Sequence, residues 1–233
     1  MRHLTISVLL IVGLTPAYAD GETRQDQAPH RQRARAERAL HTLTGARHLQ
    51  VFWPAHRSWP TAIRGLADAV DGNSPVARAR RFLARHRGLL PALETLGLLD
   101  LRTAGGSSFV RFQQLHHGLP VEGAHLVVEL DGEQRVRSLS SEAEAVTLRT
   151  VQPILDAGAA LRVAAAHLGL DAGATRTGSA RLVILPRAGG QLCYRVLLPF
   201  PADRSGRAHF IEAMTGLYLG SRVAAIIEPG VHP

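Results

Sequence analysis

The sequence contains no lysine, so its 27 strongly basic residues are all arginine. Aromatic residues make up only 5% of the chain, which leaves few rings for stacking on nucleic-acid bases. The formal charge is +8, but the arginines are scattered along the chain, and the missing lysine indicates a general compositional bias. We therefore expect no nucleic-acid partner.

Motifs that activate water or a nucleophile are also absent from the sequence. The zinc-peptidase string HExxH and the nucleophile elbow GxSxG do not occur. His116 and His117 are adjacent beside a predicted turn, a spacing that does not favour convergence on one ion. The only cysteine, Cys193, excludes a disulfide within the chain and lies in an apolar run typical of a buried strand. The sequence thus predicts no enzyme, no catalytic or metal-binding residue and no cofactor.

The first 19 residues have the pattern of a signal peptide. An apolar run, Leu4 to Leu14, follows a short basic start, and Ala17 and Ala19 supply the small residues of a cleavage site. The run is shorter than the roughly 20 residues that cross a bilayer. We expect cleavage after Ala19, export to the periplasm or the extracellular space, and no membrane span in the mature protein. A buried N-terminal helix is the less favoured alternative.

Two helix patterns are each followed by several strand patterns. Ser74 is a suitable cap for a helix that contains Phe82 and Leu83 at helical spacing. Asp156 is the expected cap of an alanine-rich helix that ends at Gly169. Short turns between the apolar runs predict antiparallel strands. The expected fold class is therefore α+β, with two units that each pack one helix on a small antiparallel sheet.

The same patterns predict the domain boundaries. After the signal peptide at 1–19, they indicate a flexible or partly helical arm at 20–45, a first unit at 46–150, a second unit at 151–225 and a C-terminal tail at 226–233.

The segment FVRFQQLHHGLPV, residues 109–121, resembles the core of the fungalysin/thermolysin propeptide (FTP) motif. In that motif an aromatic-x-Gln strand end is followed by Gly-hydrophobic-Pro-Val and a second apolar strand, here LVV at 126–128. Glu122 departs from the pattern, which often has an aromatic residue there. The matching residues, with structural roles, are Phe112, Gln114, Gly118, Pro120 and Val121.

The second unit resembles a PepSY-type domain, the usual companion of the FTP motif. Glu212 stands where that family has aspartate, ahead of Ala-x-Thr-Gly. The resemblance implies a cystatin-like or PepSY-like arrangement of a helix on a sheet. The matching structural residues are Tyr194, Val196, Thr215 and Gly216.

The FTP resemblance also implies a function. Propeptides of this family assist the folding of a zinc metallopeptidase and keep it inactive. The sequence reaches Pro233 at about the point where a peptidase domain would start. We therefore expect a stand-alone propeptide-like protein that acts in trans on a secreted zinc metallopeptidase, as an inhibitor, a folding chaperone or both. The candidate tail residues for contact with this partner are Ile226, Ile227, Glu228 and His232.

Two other interpretations of the sequence are open. PepSY-type domains occur outside peptidase precursors, so the chain could be an orphan module that binds a peptide or an envelope component. It could also be a truncated precursor that has lost its catalytic domain. The sequence does not decide the oligomeric state.

Overall fold

The computed structural model describes residues 27–43, 48–198 and 207–223. The α-helices are α1 (Gln27–His41), α2 (Pro75–Arg85), α3 (Ala157–His167) and α4 (Ala172–Arg176), and a 3₁₀-helix covers Arg87–Leu89. The strands are β1 (Gln50–Phe52), β2 (Ala62–Asp68), β3 (Thr95–Ala104), β4 (Ser107–His116), β5 (Leu119–Leu130), β6 (Val136–Ser141), β7 (Ser179–Leu185), β8 (Gln191–Leu197), β9 (Arg207–Glu212) and β10 (Tyr218–Val223).

The chain divides into two compact units. The first comprises the chain up to Gln114 together with Gly123–Ala143, and the second comprises Leu115–Glu122 together with the chain from Glu144 onward. The chain therefore crosses the boundary between the units once within β4 and once within β5.

The sheet of the first unit runs in the order β1, β2, β6, β5, β4 and β3. Strand β6 pairs with both neighbours in antiparallel fashion, and Leu139 lies opposite Ile63 on one side and Val128 on the other. Residues on β4 are alternately buried and half-buried, because successive side chains of a strand point to opposite faces.

Helix α2 covers the apolar face of this sheet. Its predicted cap is confirmed, because the Ser74 hydroxyl accepts a hydrogen bond from the Ala77 backbone N–H at 3.2 Å. Ala79, Phe82 and Leu83 are the buried residues of the helix. Burial of a Phe or Leu side chain stabilises a fold by about 1.5–3 kcal/mol, so the apolar stripe fixes α2 to the sheet.

The second unit has a mixed sheet. Val121 of β5 pairs with Ile184 of β7 in parallel orientation, while β7, β8, β9 and β10 follow in antiparallel order. Helix α3 is capped as predicted, since the Asp156 carboxylate accepts from the Ala159 N–H at 2.6 Å. Its small buried residues, among them Ala160 and Ala164, allow close contact with β7, β8 and β9.

The predicted fold class, two units of one helix on a small antiparallel sheet, is wrong. Among the residues that the structure describes, strand residues far outnumber helical ones, and the sheet is mixed. The error has a physical cause. Local periodicity shows that a segment forms a strand, but the partner strand depends on contacts between distant segments. The local sequence patterns around Val121 and around Ile184 do not predict that these two residues form a parallel pair.

Within the described residues, no helix combines the length and the apolar character needed to cross a membrane. The expected cleavage site at Ala19 and the tail residues Ile226, Ile227, Glu228 and His232 lie outside the described residues.

Candidate functional site

The predicted FTP-motif residues are divided between the two units. Phe112 and Gln114 belong to the first unit, whereas Gly118, Pro120 and Val121 belong to the second.

Phe112 lies in the core of the first unit. The side chain is fully buried, and the guanidinium carbon of Arg80 on α2 lies 5.1 Å from the ring centroid. A cation at that distance is attracted to the electron-rich face of the ring. Phe112 therefore packs in the core and also positions one arginine of α2.

The two glutamines of β4 have different surroundings. Gln114 is 2% exposed. The side-chain amide of Gln113 donates to the backbone carbonyl of Ala124 on β5 at 3.1 Å and to that of Gln114 at 3.0 Å. Gln113, which is not among the predicted motif residues, thus links β4 to β5 by a side-chain hydrogen bond. No local sequence pattern predicts this bond.

A two-residue turn joins β4 to β5. His117 and Gly118 have φ values of 48° and 76°, and two successive positive φ angles are typical of a type I′ hairpin turn. The ring of His116 donates from Nε2 to the Leu148 carbonyl at 2.7 Å. The rings of His116 and His117 meet edge to face with centroids 4.5 Å apart. The absence of a metal site remains a prediction.

Pro120 and Val121 follow the turn in β5. Pro120 is half-buried, and Val121 is fully buried at its pairing position. The next residue, Glu122, has its carboxylate 3.6 Å from Nε of Arg195. Glu122 stands where the family pattern often has an aromatic residue, and its carboxylate therefore lies next to an arginine of β8.

Tyr194 and Val196 lie on β8 in the core of the second unit. Val196 is fully buried. The Tyr194 hydroxyl donates to the Leu155 carbonyl at 2.8 Å. Burial, followed by the negative charge of Asp156, raises the pKa of the Tyr194 hydroxyl above its ordinary value, so the donor keeps its proton at neutral pH.

Thr215 and Gly216 form the turn between β9 and β10. The Glu212 carboxylate accepts hydrogen bonds from the backbone N–H of Thr215, at 3.1 Å, and from its hydroxyl. Gly216 has a φ of 78°, a backbone conformation that L side chains rarely adopt. Glu212, the departure from the expected aspartate, closes this turn.

Among the described residues, two polar clusters were not predicted from the sequence. In the second unit, the ring of His167 stacks on Tyr218 with centroids 3.7 Å apart, and the Tyr218 hydroxyl lies 3.0 Å from Nδ1 of His209. In the first unit, Asp68 and His86 form a buried pair with 2.8 Å between Oδ2 and Nε2. Their members are far apart in sequence, so no spacing rule predicts them.

The surroundings of Cys193 keep its thiol protonated. The thiol is fully buried, and burial, with a smaller contribution from the charge of Glu212, raises the pKa of the Cys193 thiol to about 12. A thiolate is the reactive form of cysteine, so this side chain stays protonated and unreactive at neutral pH.

Residues 100–143 match the family model described as the Fungalysin/Thermolysin Propeptide Motif. The match runs from within β3 to just past β6 and identifies this segment as a propeptide-type motif. It does not extend to the PepSY-type resemblance of residues 151–225, which stays a prediction. No curated protein matches the chain.

Five chains of known structure are similar to this one, including the following two. The C-terminal domain of YpeB from Bacillus megaterium is 18% identical, with 70% of this chain and 71% of that chain covered and a TM-score of 0.39. A protein from Clostridium difficile 630 that is described as a lipoprotein is 9% identical, with coverage of 65% and 94% and a TM-score of 0.23. Both TM-scores are below 0.5, and neither likeness carries a functional argument.

Proposed function

We propose that this protein is an exported, non-catalytic, propeptide-like protein. In this proposal it binds a thermolysin-like zinc metallopeptidase as a separate chain, and it inhibits that enzyme or assists its folding. The observation that carries the proposal is the match of residues 100–143 to the propeptide motif. Propeptides of this type belong to secreted peptidases, which also supports export.

The positions of the motif residues support action through a surface. Phe112, Gln114 and Val121 are buried, and Gly118 serves a tight turn. Such residues shape the scaffold and leave contact with a partner to exposed side chains and strand edges. A strand edge can bind an extended segment of another protein through backbone hydrogen bonds.

A non-catalytic role agrees with the chemistry of the described residues. The matched motif belongs to propeptides and not to a catalytic domain. The single thiol, Cys193, is buried and protonated at neutral pH.

Two assays test the proposal with the mature chain, which begins at Asp20 if cleavage follows Ala19. The first titrates the chain against a thermolysin-like peptidase from the same organism, with a chromogenic peptide as substrate. The second measures the yield of active peptidase after refolding with and without the chain. We expect inhibition, an increased yield, or both at micromolar concentration. An unrelated basic protein of similar size is the control for charge.

Unchanged activity together with an unchanged refolding yield would reject the proposal, provided that circular dichroism shows the chain to be folded. Capture of a non-peptidase partner alone from the secreted fraction would favour the orphan binding module. A folded chain inactive in both assays and without a partner would favour the truncated precursor.

A further inference from the structure

An open cleft of about 590 Å³ lies in the first unit where α1, α2, the 3₁₀-helix and the start of β3 meet. Its floor contains the buried residues Leu83, Leu90 and Pro91. Leu93 and Leu96, both half-buried, add to the apolar lining. The cleft therefore offers an apolar surface to a ligand from solvent.

The lining of the cleft is strongly basic. It contains three arginines, Arg35, Arg80 and Arg87, against one acidic residue, Glu94. Each arginine comes from a different helix. This convergence differs from the scattered distribution of arginine along the sequence, because only the fold brings the three together.

The three arginines are not equally engaged. Arg80 donates from Nη1 to the Leu96 carbonyl at 3.1 Å and lies over the Phe112 ring. Arg35 and Arg87 are exposed, and among the described residues neither guanidinium group has an acidic partner or a hydrogen bond. A guanidinium group presents a planar fork of donors that matches a carboxylate. The unengaged pair therefore favours a ligand with a carboxylate group.

Strand β3 continues from the cleft as the outermost strand of the sheet. Among the described residues it pairs with β4 alone, so its other edge has unpaired backbone groups. Leu96 lines the cleft, and Leu98, on the same face of the strand, is 46% exposed. The apolar surface thus extends from the cleft along an open strand edge.

We propose that the cleft and the open edge of β3 bind an extended peptide segment of a partner protein, with acidic and apolar side chains on the same face of the peptide strand. The peptide backbone pairs with β3, a carboxylate group lies beside Arg35 and Arg87, and apolar side chains cover Leu96 and Leu98. The inference rests on the proposed function only for the identity of the partner. The lining has no aromatic residue, which disfavours a nucleic-acid strand that would stack its bases.

The test uses a fluorescein-labelled peptide of sequence Ser-Glu-Ser-Glu-Ser-Leu-Ser-Val-Ser, which has its acidic and apolar side chains on one face. Its binding to the mature chain is measured by fluorescence anisotropy at about 150 mM salt, where the screening length is about 8 Å. The double variant Arg35→Glu/Arg87→Glu removes the basic pair. The matched control is Arg81→Glu/Arg137→Glu, which makes the same charge change at two exposed arginines of the first unit outside the cleft. We expect the cleft variant to weaken binding about tenfold or more and the control by about threefold or less, since only contact charges act at short range.

Two altered peptides separate charge from backbone pairing. Replacement of every Glu by Gln should weaken binding to the level of the cleft variant, because the carboxylates are lost. N-methylation at alternate residues should also weaken it, because strand addition needs the backbone N–H groups. Equal binding of either altered peptide, or equal loss in the cleft and control variants, would overturn the proposal.

The peptidase assay distinguishes this inference from the proposed function. If the unaltered chain inhibits the peptidase and binds the peptide, the cleft variant should lose both. Inhibition without peptide binding would reject the cleft as a peptide site but would not contradict the proposed function. Peptide binding without inhibition would support the peptide site and contradict inhibition of the peptidase. Self-association of the unaltered chain that the cleft variant lacks would identify a second copy as the occupant and also overturn the proposal.

Discussion

Asp68 and His86 form a buried pair between β2 and the end of α2. The side chains are 2% and 4% exposed, and Arg85 adds a longer contact of 3.4 Å to the other carboxylate oxygen. The second ring nitrogen of His86, Nδ1, is buried and has no hydrogen-bond partner among the described residues. The contact with Asp68 is therefore the one that compensates for burial of the imidazole.

The loss of either partner should be more harmful than the loss of both. We predict that Asp68→Ala lowers the free energy of unfolding by about 1–3 kcal/mol, because it leaves a buried imidazole without its acceptor. The double variant Asp68→Ala/His86→Leu should be more stable than Asp68→Ala, since no polar group is then orphaned. Urea denaturation of the three proteins measures this. A double variant less stable than Asp68→Ala would contradict the interpretation.

Cys193 gives a prediction on pH and reactivity. The thiol pKa is raised to about 12 in the folded protein, against about 8.5 in an unfolded chain. The folded state thus holds this proton more tightly, so its stabilising effect is complete at low pH and is lost as the pH rises from about 8.5 to 12. Iodoacetamide at pH 8 should modify folded protein at least about a hundredfold more slowly than urea-unfolded protein.

The pH effect has its own control. The variant Cys193→Ala should show a weaker decline of the urea midpoint between pH 8 and pH 11 than the unaltered chain. Tyr194 also has a raised pKa, so some decline should remain. Identical declines in the two proteins would show that the thiol is not coupled to folding.

At the scale of elements, the local signals were the most informative. The caps Ser74 and Asp156 were predicted from residue type and position, and both side chains accept the expected backbone hydrogen bond. The partners of the strands were not predictable, because register and direction depend on distant contacts. The cleft was not predictable from the sequence either, because Arg35, Arg80 and Arg87 come together only after α1, α2 and the 3₁₀-helix have packed.

Gly65 illustrates a constraint that belongs to an element. It lies in β2 at a φ of 80°, where the register with β6 shifts between Arg64 and Asp68. A Cβ atom there would overlap the backbone carbonyl oxygen of His48. Gly105 has a φ of 56° in the turn before β4, but a Cβ atom there would meet nothing within 4 Å.

The two glycines therefore form a matched pair for substitution. We predict that Gly105→Ala costs about 1 kcal/mol from the positive φ alone. Gly65→Ala should cost clearly more, because the backbone must also move away from His48. Thermal denaturation compares the two variants. Equal losses would show that the segment before β1 yields to the added methyl group.

At the scale of the whole molecule, the formal charge of +8 sets a long-range field. If the partner is an acidic peptidase surface, this field should accelerate the encounter. We predict that the association rate falls about tenfold or more between 20 and 300 mM salt, while the dissociation rate changes much less. Stopped-flow inhibition kinetics measure both rates. An association rate independent of salt would contradict electrostatic steering.

The second unit is assembled from two separate stretches of chain, Leu115–Glu122 and the chain from Glu144 onward. A gene cut after Ala143 therefore does not yield two complete halves. The downstream fragment would lack Val121, which pairs with Ile184 of β7. The upstream fragment would contain β5 without β7, its parallel partner strand. Segments of the two units therefore alternate along the sequence, so neither unit can be transferred whole as one continuous piece of the gene.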